Sequence, residues 1–377
     1  ASIFNMTFED FINLPIEFRV RLRFPIHLGG LGIGNSMGNL IEGYVASIVE
    51  YNNYLGGNLD CLGNENEEEE VARDKEKKCN GHFVTCCQNI KSNDESYSIS
   101  HILNMKFERK KSVQYQLSEV RLKSDYEKNK ISYLECIRNR DHNTHPMFTN
   151  QHFAWWQGIC NEESGMWLNA IPYCADNKMY SLDFTTALRY RYLLPVKDYI
   201  PGVICNCGFR TPLDPGGIHI STGCPKGGGR ITTHNNLTHG INNICRQAGC
   251  RTKVEEKGIF HNVNPDDDCR PDITIQGGDS TKLLDIVVTG PIQLNRNGDF
   301  KEIILANGQY KAGVSATNSF NGKVRKYAEK VRLGGFSFLP ICFESTGLIH
   351  PETKSFIKLM AHKYADVRRI EKSIMYK

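Results

Sequence analysis

Apolar residues recur at helical spacing through the first half of the chain and shift to strand-like runs in the second. IEGYVASIVEYNNYL, residues 41–55, carries its apolar side chains on one helical face. Before it, FEDFINLPIEFRVRLRF (residues 8–24) runs into Pro25 and the glycine-rich LGGLGIG of Leu28 to Gly34, a turn-rich junction. Residues 101–140 read as a helix with alternating charges that breaks at Asn143–Pro146. LDFTTALRYRYLLP has apolar residues at 184, 187, 188, 192 and 193 and a proline stop, with Ser181 or Asp183 to cap the helix. Its aromatics, like Trp155 and Trp156, read as core, and Arg189 and Arg191 are candidates to face nucleic acid. After Thr232, Leu237, Ile241, Ile244 and Ala248 predict a further helix, capped by Thr232 or Thr233 and stopped by Gly249.

Strand-like segments follow. RPDITIQ and TKLLDIVVT flank Gly277-Gly278-Asp279-Ser280, and Gly278-Asp279 fits a two-residue hairpin turn with glycine first. Such a turn makes Asp272 and Asp285 direct cross-strand partners. Partners share a face, with Cβ atoms roughly 4.5–5.5 Å apart. Thr274 and Val287 would share that face, and Ile273, Ile275, Leu284, Ile286 and Val288 would line the opposite, core face. NGKVRKYAEKVR (residues 321–332) reads as a helix, FSFLPICFE (336–344) as a strand, and about 352–374 as a last helix covering the sheet.

Composition narrows the options. The 377 residues allow two or three domains, and a net charge of +4 excludes a polycation. No apolar run reaches the ~18 residues that span a bilayer, and the first residues show no signal-peptide pattern. The start at Ala1 suggests a processed precursor or a fragment. Residues 64–78 (NENEEEEVARDKEKK) are a charged run within a polar insertion. The stretch 354–377 holds seven Lys/Arg against two acids, a solvated helix face or a nucleic-acid contact. The fourteen cysteines, without a secretion signal, point to free thiols and metal ligands. Cys61, Cys79, Cys86, Cys87, Cys136 and Cys160 lack metal spacing and read as core thiols.

Two sets of residues carry chemistry. Cys205, Cys207, His219 and Cys224 form C-x-C-x11-H-x4-C, four thiolate or imidazole ligands of the kind zinc takes in a tetrahedron. A Pro- and Gly-rich loop has little core of its own, so a metal would supply its folding energy. Free thiols are the alternative, and His234 and His239 are competing ligands. Lys226-Gly-Gly-Gly-Arg230 follows, a turn whose cations and free N–H groups, set before a helix, suit a phosphate. The second set is Asp272 and Asp285. Two carboxylates this close repel unless a cation such as Mg²⁺ or Mn²⁺ separates them. Phosphodiester hydrolysis also needs a cation at the phosphate or water. The 321–332 helix supplies candidates for that cation: Lys326 first, Lys323 second, with Lys330 also there.

Taken together, these motifs resemble the C-terminal region of non-LTR retrotransposon proteins that carry a restriction-like endonuclease, where a CCHC knuckle precedes a PD…D core. The matching residues are the Cys/His quartet, Arg230, His234, Pro271-Asp272, Asp285, Lys323-Val-Arg-Lys326-Tyr327 and Glu344. RLRFPIHLGGLGI, MWLNAIP and LDFTTALRYRYLLP resemble the thumb and linker that follow the polymerase. The C-x-C spacing is shorter than the usual knuckle, and no [YF]-x-D-D polymerase motif is present.

The resemblance implies an α+β chain with a mostly helical N-terminal half, a zinc knuckle and a restriction-endonuclease-like α/β core of PD-(D/E)xK type. Its segments would be a thumb-like 1–55, a partly disordered insertion then helix at 56–130, a helical linker at 131–200, a knuckle at 201–232 and the nuclease at 233–377. It implies Mg²⁺- or Mn²⁺-dependent DNA cleavage by Asp272 and Asp285 with Lys326 or Lys323, a structural Zn²⁺, backbone contacts from Lys226, Arg230 and His234, and no membrane partner. The alternative is a domesticated, catalytically silent, RNA- or DNA-binding subunit of a larger ribonucleoprotein such as a mitochondrial ribosome. The implied location is intracellular, nuclear for a retroelement and mitochondrial for a domesticated subunit.

Overall fold

The computed structural model describes residues 2–32, 36–54, 82–105, 112–139, 144–170, 178–196, 200, 202–207, 213–224, 226, 228–277, 280–294, 300–304 and 310–369. The charged run 64–78, Cys61 and Cys79, the Gly278–Asp279 turn, Gly227 and the basic residues beyond 369 lie outside them. The chain is mixed α+β, helical for the most part, with a small mixed sheet. It divides into two compact units, Leu14–His145 and Ala1–Asn13 with Pro146–Lys377. No helix among the described residues is long and apolar enough to cross a membrane.

The segment at 8–24 forms two short helices. α1 (Phe8–Ile12) and α2 (Ile16–Arg21) part at Pro15, which takes the cap position before α2 because its ring cannot continue a helix. α1 belongs to the unit that holds Ala1–Asn13, and α2 with α3 (Ser36–Tyr54), α4 (residues 82–91), α5 (Ile99–Leu103) and α6 (Val113–Arg138) builds the Leu14–His145 unit. Ser112 caps α6 by accepting the Tyr115 N–H. The core joins Val45 and Val49 of α3 to Phe83, Cys87 and Ile90 of α4, Ile102 of α5, and Val113 and Leu117 of α6. The polar insertion therefore returns at residue 82 to a buried helix. Glu42, 1% exposed, is held by Arg121 and Ser118, which answers its buried charge.

In the other unit, α7 (Asn150–Ile159) buries Phe153, Trp155, Trp156 and Ile159. α8 (Ser181–Arg191) begins after Tyr180 with no side-chain cap bond, so neither Ser181 nor Asp183 caps it. Arg191 is 4% exposed and donates to the Ser164 carbonyl at 2.7 Å, so it is a core residue and not a nucleic-acid contact.

α9 (Gly228–Gln247) leads into β1 (Arg251–Val254), β2 (Ile273–Gln276) and β3 (Lys282–Thr289). After the small β4–β5 hairpin (Ile292–Leu294 and Phe300–Glu302), α10 (Val314–Gly334) leads to β6 (Ser337–Glu344), and α11 (Pro351–Arg368) closes the order. The main sheet runs β1-β2-β3-β6, antiparallel except where β6 lies parallel to β3. Ile273 pairs with Leu284 and Thr274 with Leu283, the register that a turn at 278–279 dictates.

Both faces are covered. Ile273, Leu284, Ile286 and Ile341 pack against Ile241, Cys245 and Ala248 of α9 and Phe356 and Met360 of α11. Leu283 meets Phe260 and Tyr327 on the other face, and Cys342 meets Ala316 beside them. Each such aliphatic burial stabilises by roughly 1.5–3 kcal/mol. Within the doubly covered strand β3, Asp285 interrupts an apolar run, and it is 5% exposed.

Candidate metal and acid sites

The H-x4-C spacing is closed by a single wide turn. His219–Gly223 is one π-helical turn, and the Cys224 N–H donates to the His219 carbonyl at 2.7 Å. Asp214 fixes the approach: its two carboxylate oxygens accept the Ile218 and His219 N–H groups, each at 2.7 Å. Gly217 supplies the positive φ (72°) that the bend between them requires. The Leu213 N–H donates to the Val203 carbonyl at 2.8 Å, which ties this turn to the Cys205–Cys207 side.

The result is a closed quartet. One ligand atom from each of Cys205, Cys207, His219 and Cys224 lies within 4.8 Å of the other three. Cys205 Sγ is 3.6 Å from Cys224 Sγ, and Cys207 Sγ is 3.5 Å from His219 Nε2. Tetrahedral zinc would set these edges at ~3.8 Å and ~3.6 Å. A disulfide would bring the sulfurs to about 2.05 Å, and the three residues other than Cys205 are buried. Desolvation first, then the Cys224 and Cys207 thiols, push the Cys205 thiol up to about 11. The buried His219 Nδ1 has no hydrogen-bond partner. These residues could hold a metal such as zinc. Among the described residues, no other group of three or more Cys, His, Asp or Glu forms such a cluster.

α9 begins at Gly228, inside the KGGGR segment, so Gly228, Gly229 and Arg230 are its first turn and not a loop before it. Glycine is a poor helix former, but Gly229 packs against the 219–223 turn: a Cβ there would lie 3.6 Å from the Ile220 carbonyl oxygen. Lys226 and Arg230 are exposed. His234 lies one turn along α9 from Arg230, one turn before Leu237 and Thr238 and two before Ile241, on the face that meets the sheet. His239 is exposed on α9 and takes no part in the quartet.

His234 reaches the first aspartate, its Nε2 3.3 Å from Asp272 Oδ2. The same oxygen accepts the Ile286 N–H at 2.5 Å. Burial foremost holds the Asp272 carboxyl above the usual carboxylate range; Asp285 adds to this, while the Ile286 N–H and His234 oppose it. Asp285 is bound from α10: Lys323 Nζ stands 2.5 Å from Oδ2, and Tyr327 Oη donates to Oδ1 at 3.3 Å. Burial, then Asp285, raises the Tyr327 hydroxyl, whose ring stacks on Phe338 at 4.6 Å. Thr274, fully buried on the Asp272 side of β2, has an Oγ1 without a hydrogen-bond partner.

Of the two lysines expected at the acids, the structure brings Lys323 to Asp285. Lys326 is exposed, with Nζ 5.3 Å from the Tyr327 ring centroid. Helix phase explains the difference. Ala316, Phe320, Lys323, Tyr327 and Val331 share the inward face of α10, and Lys326 lies about 100° from Tyr327. Lys330 is engaged elsewhere, 2.5 Å from Asp267 Oδ2 and 3.0 Å from Cys269 Sγ. Glu344 is likewise occupied: its carboxylate accepts the Ala316 N–H at 3.1 Å and the Thr346 hydroxyl at 3.3 Å, at the start of α10. Burial holds its carboxyl above the usual range.

Sequence reasoning missed the positioning role of Asp214, although Asp214-Pro-Gly-Gly is a turn signal. It also gave no separate role to Tyr327, which the apolar phase of α10 would have turned toward β3. No known family model matches the chain, and no curated protein matches it.

Proposed function

We propose that the unit carrying the sheet is a divalent-metal-dependent phosphodiesterase acting on nucleic acid, in the manner of the restriction-like endonucleases of non-LTR retrotransposons. One observation carries the reading: Asp285, the polar interruption of a doubly covered strand, meets a lysine from α10 at 2.5 Å on the side of the hairpin that Asp272 shares. Burying charged groups there is costly as structure alone and is typical of working sites.

The donor set fits a hard cation. Two carboxylates and the unpartnered Thr274 hydroxyl offer oxygen ligands of the kind Mg²⁺ and Mn²⁺ take. Bound there, such an ion would supply Lewis acidity and an activated water. The chain's own residues do the rest. The Ile286 N–H and His234 orient Asp272, and Tyr327 orients Asp285. Lys323 places positive charge where a phosphate gains negative charge in the transition state. Arg230 lies about 6 Å back along α9 from His234 and, with Lys226, offers cations to the nucleic-acid backbone. Zinc on the quartet would fix the start of that same helix.

A second reading is a silent nucleic-acid-binding subunit. The burial of Asp285, 5% exposed and already paired, favours it. Nicking of supercoiled plasmid separates the two. The nuclease reading expects cleavage with Mg²⁺, none with EDTA, and loss in Asp272→Ala with the fold retained. Nucleic-acid binding without cleavage under any divalent ion would sink it.

A further inference from the structure

The two aspartates are not prepared alike. Asp272 spends one oxygen, Oδ2, on both of its partners, the Ile286 N–H and His234. Its Oδ1 has no hydrogen-bond partner among the described residues. Asp285 accepts the Tyr327 hydroxyl on Oδ1, and its buried Oδ2, which accepts no hydrogen bond, is ion-paired with Lys323 at 2.5 Å. The exposures differ in the same sense: the Asp285 side chain is 7% exposed and the Lys323 side chain 31%.

We propose that Lys323 is the resting counter-ion of Asp285, competes with the divalent cation for Oδ2, and is released toward the substrate phosphate when the cation enters. The inference rests on the nuclease reading and extends it to how the site is held between turnovers. With Lys323 in place the two carboxylates fold against one positive charge, which limits their repulsion. Asp272 Oδ1, the uncommitted oxygen, is the first point of attachment for an incoming ion. The exchange then moves the lysine only as far as its flexible four-carbon stem allows. A single side chain thus couples filling of the site to presentation of the catalytic cation.

Direct binding of Mn²⁺ to the zinc-loaded full chain, followed by the resonance of free Mn²⁺ at fixed pH, tests this apart from catalysis. Lys323→Met keeps the stem and removes the charge. Since an adjacent opposite charge changes a carboxylate's proton affinity about tenfold or more, Mn²⁺ affinity should rise about tenfold or more in Lys323→Met, while Mn²⁺-dependent nicking falls. Lys323→Gln should do the same, which guards against a fold defect in one variant. Asp272→Asn should abolish the binding, which assigns it to the acids. Equal or weaker binding in both lysine variants, with Asp272→Asn still abolishing it, overturns the counter-ion role and leaves the nuclease reading intact. No Mn²⁺ binding to wild type or to either lysine variant overturns both.

Discussion

At the Cys/His quartet, three thiols and an imidazole face one another, and desolvation, then the neighbouring thiols, raise the Cys205 thiol. At the aspartates, two carboxylates also approach each other, but the chain supplies Lys323, Tyr327, His234 and a backbone N–H to them. Among the described residues, the quartet sits on one wide turn and a few loop hydrogen bonds. The aspartates sit on strands locked between helices. On the proposed reading, a metal would supply the first arrangement's stability, and the second would hold before any metal arrives. A structural ion belongs where the chain leaves its ligands unanswered; an exchangeable one belongs where the protein can hold the site without it.

The largest expected effect follows from that contrast. Stripping the quartet with a strong chelator, or Cys207→Ser, should lower unfolding stability by roughly 3 kcal/mol or more. Atomic emission should report about one zinc per wild-type chain and its loss in the variant. Melting that ignores both treatments would make the quartet a set of free thiols.

Smaller effects should separate the aspartates from their supports. Tyr327→Phe removes the donor to Asp285 Oδ1 and should cost about 1 kcal/mol, read from denaturant midpoints, with reduced nicking. Glu344→Gln tests whether the buried acid on β6 is a structural cap. Its carboxyl is raised by burial, so its stabilising contribution is present below the ordinary glutamate value of about 4.3 and is lost as pH rises through the raised value. The variant should therefore be more stable than wild type at neutral pH, by about 1 kcal/mol, and lose that advantage in acid. A wild type more stable than the variant at neutral pH would assign Glu344 a charged role. Smallest of all, Lys326→Ala should leave stability within about 0.5 kcal/mol and nicking nearly unchanged, unlike either Lys323 variant.

The parts legible in the sequence were those with a local cause. Residue chemistry and spacing identified the quartet, and turn length fixed the register that puts Asp272 opposite Asp285, because each hairpin step outward advances both strands by one residue. Less was legible where tertiary packing decided. α9 starts in glycines, against propensity, where Gly229 packs on the 219–223 turn. α4 returns to the core through Phe83, Cys87 and Ile90 after a polar stretch with no periodic signal of its own. β1 and the β4–β5 hairpin are too short to announce themselves. The choice between Lys323 and Lys326 was legible in principle, since the Phe320–Tyr327–Val331 phase points at Lys323, but the sequence reading put Lys326 first within one short charged stretch.

The most direct test measures metal content, melting and plasmid nicking on the same zinc-loaded samples of wild type and Asp272→Asn. Both proteins should hold about one zinc and melt alike, with Mg²⁺-dependent nicking in wild type alone. Wild type that binds zinc yet never nicks, or Asp272→Asn that nicks as well as wild type, would contradict the assignment of the aspartate pair as the reactive centre.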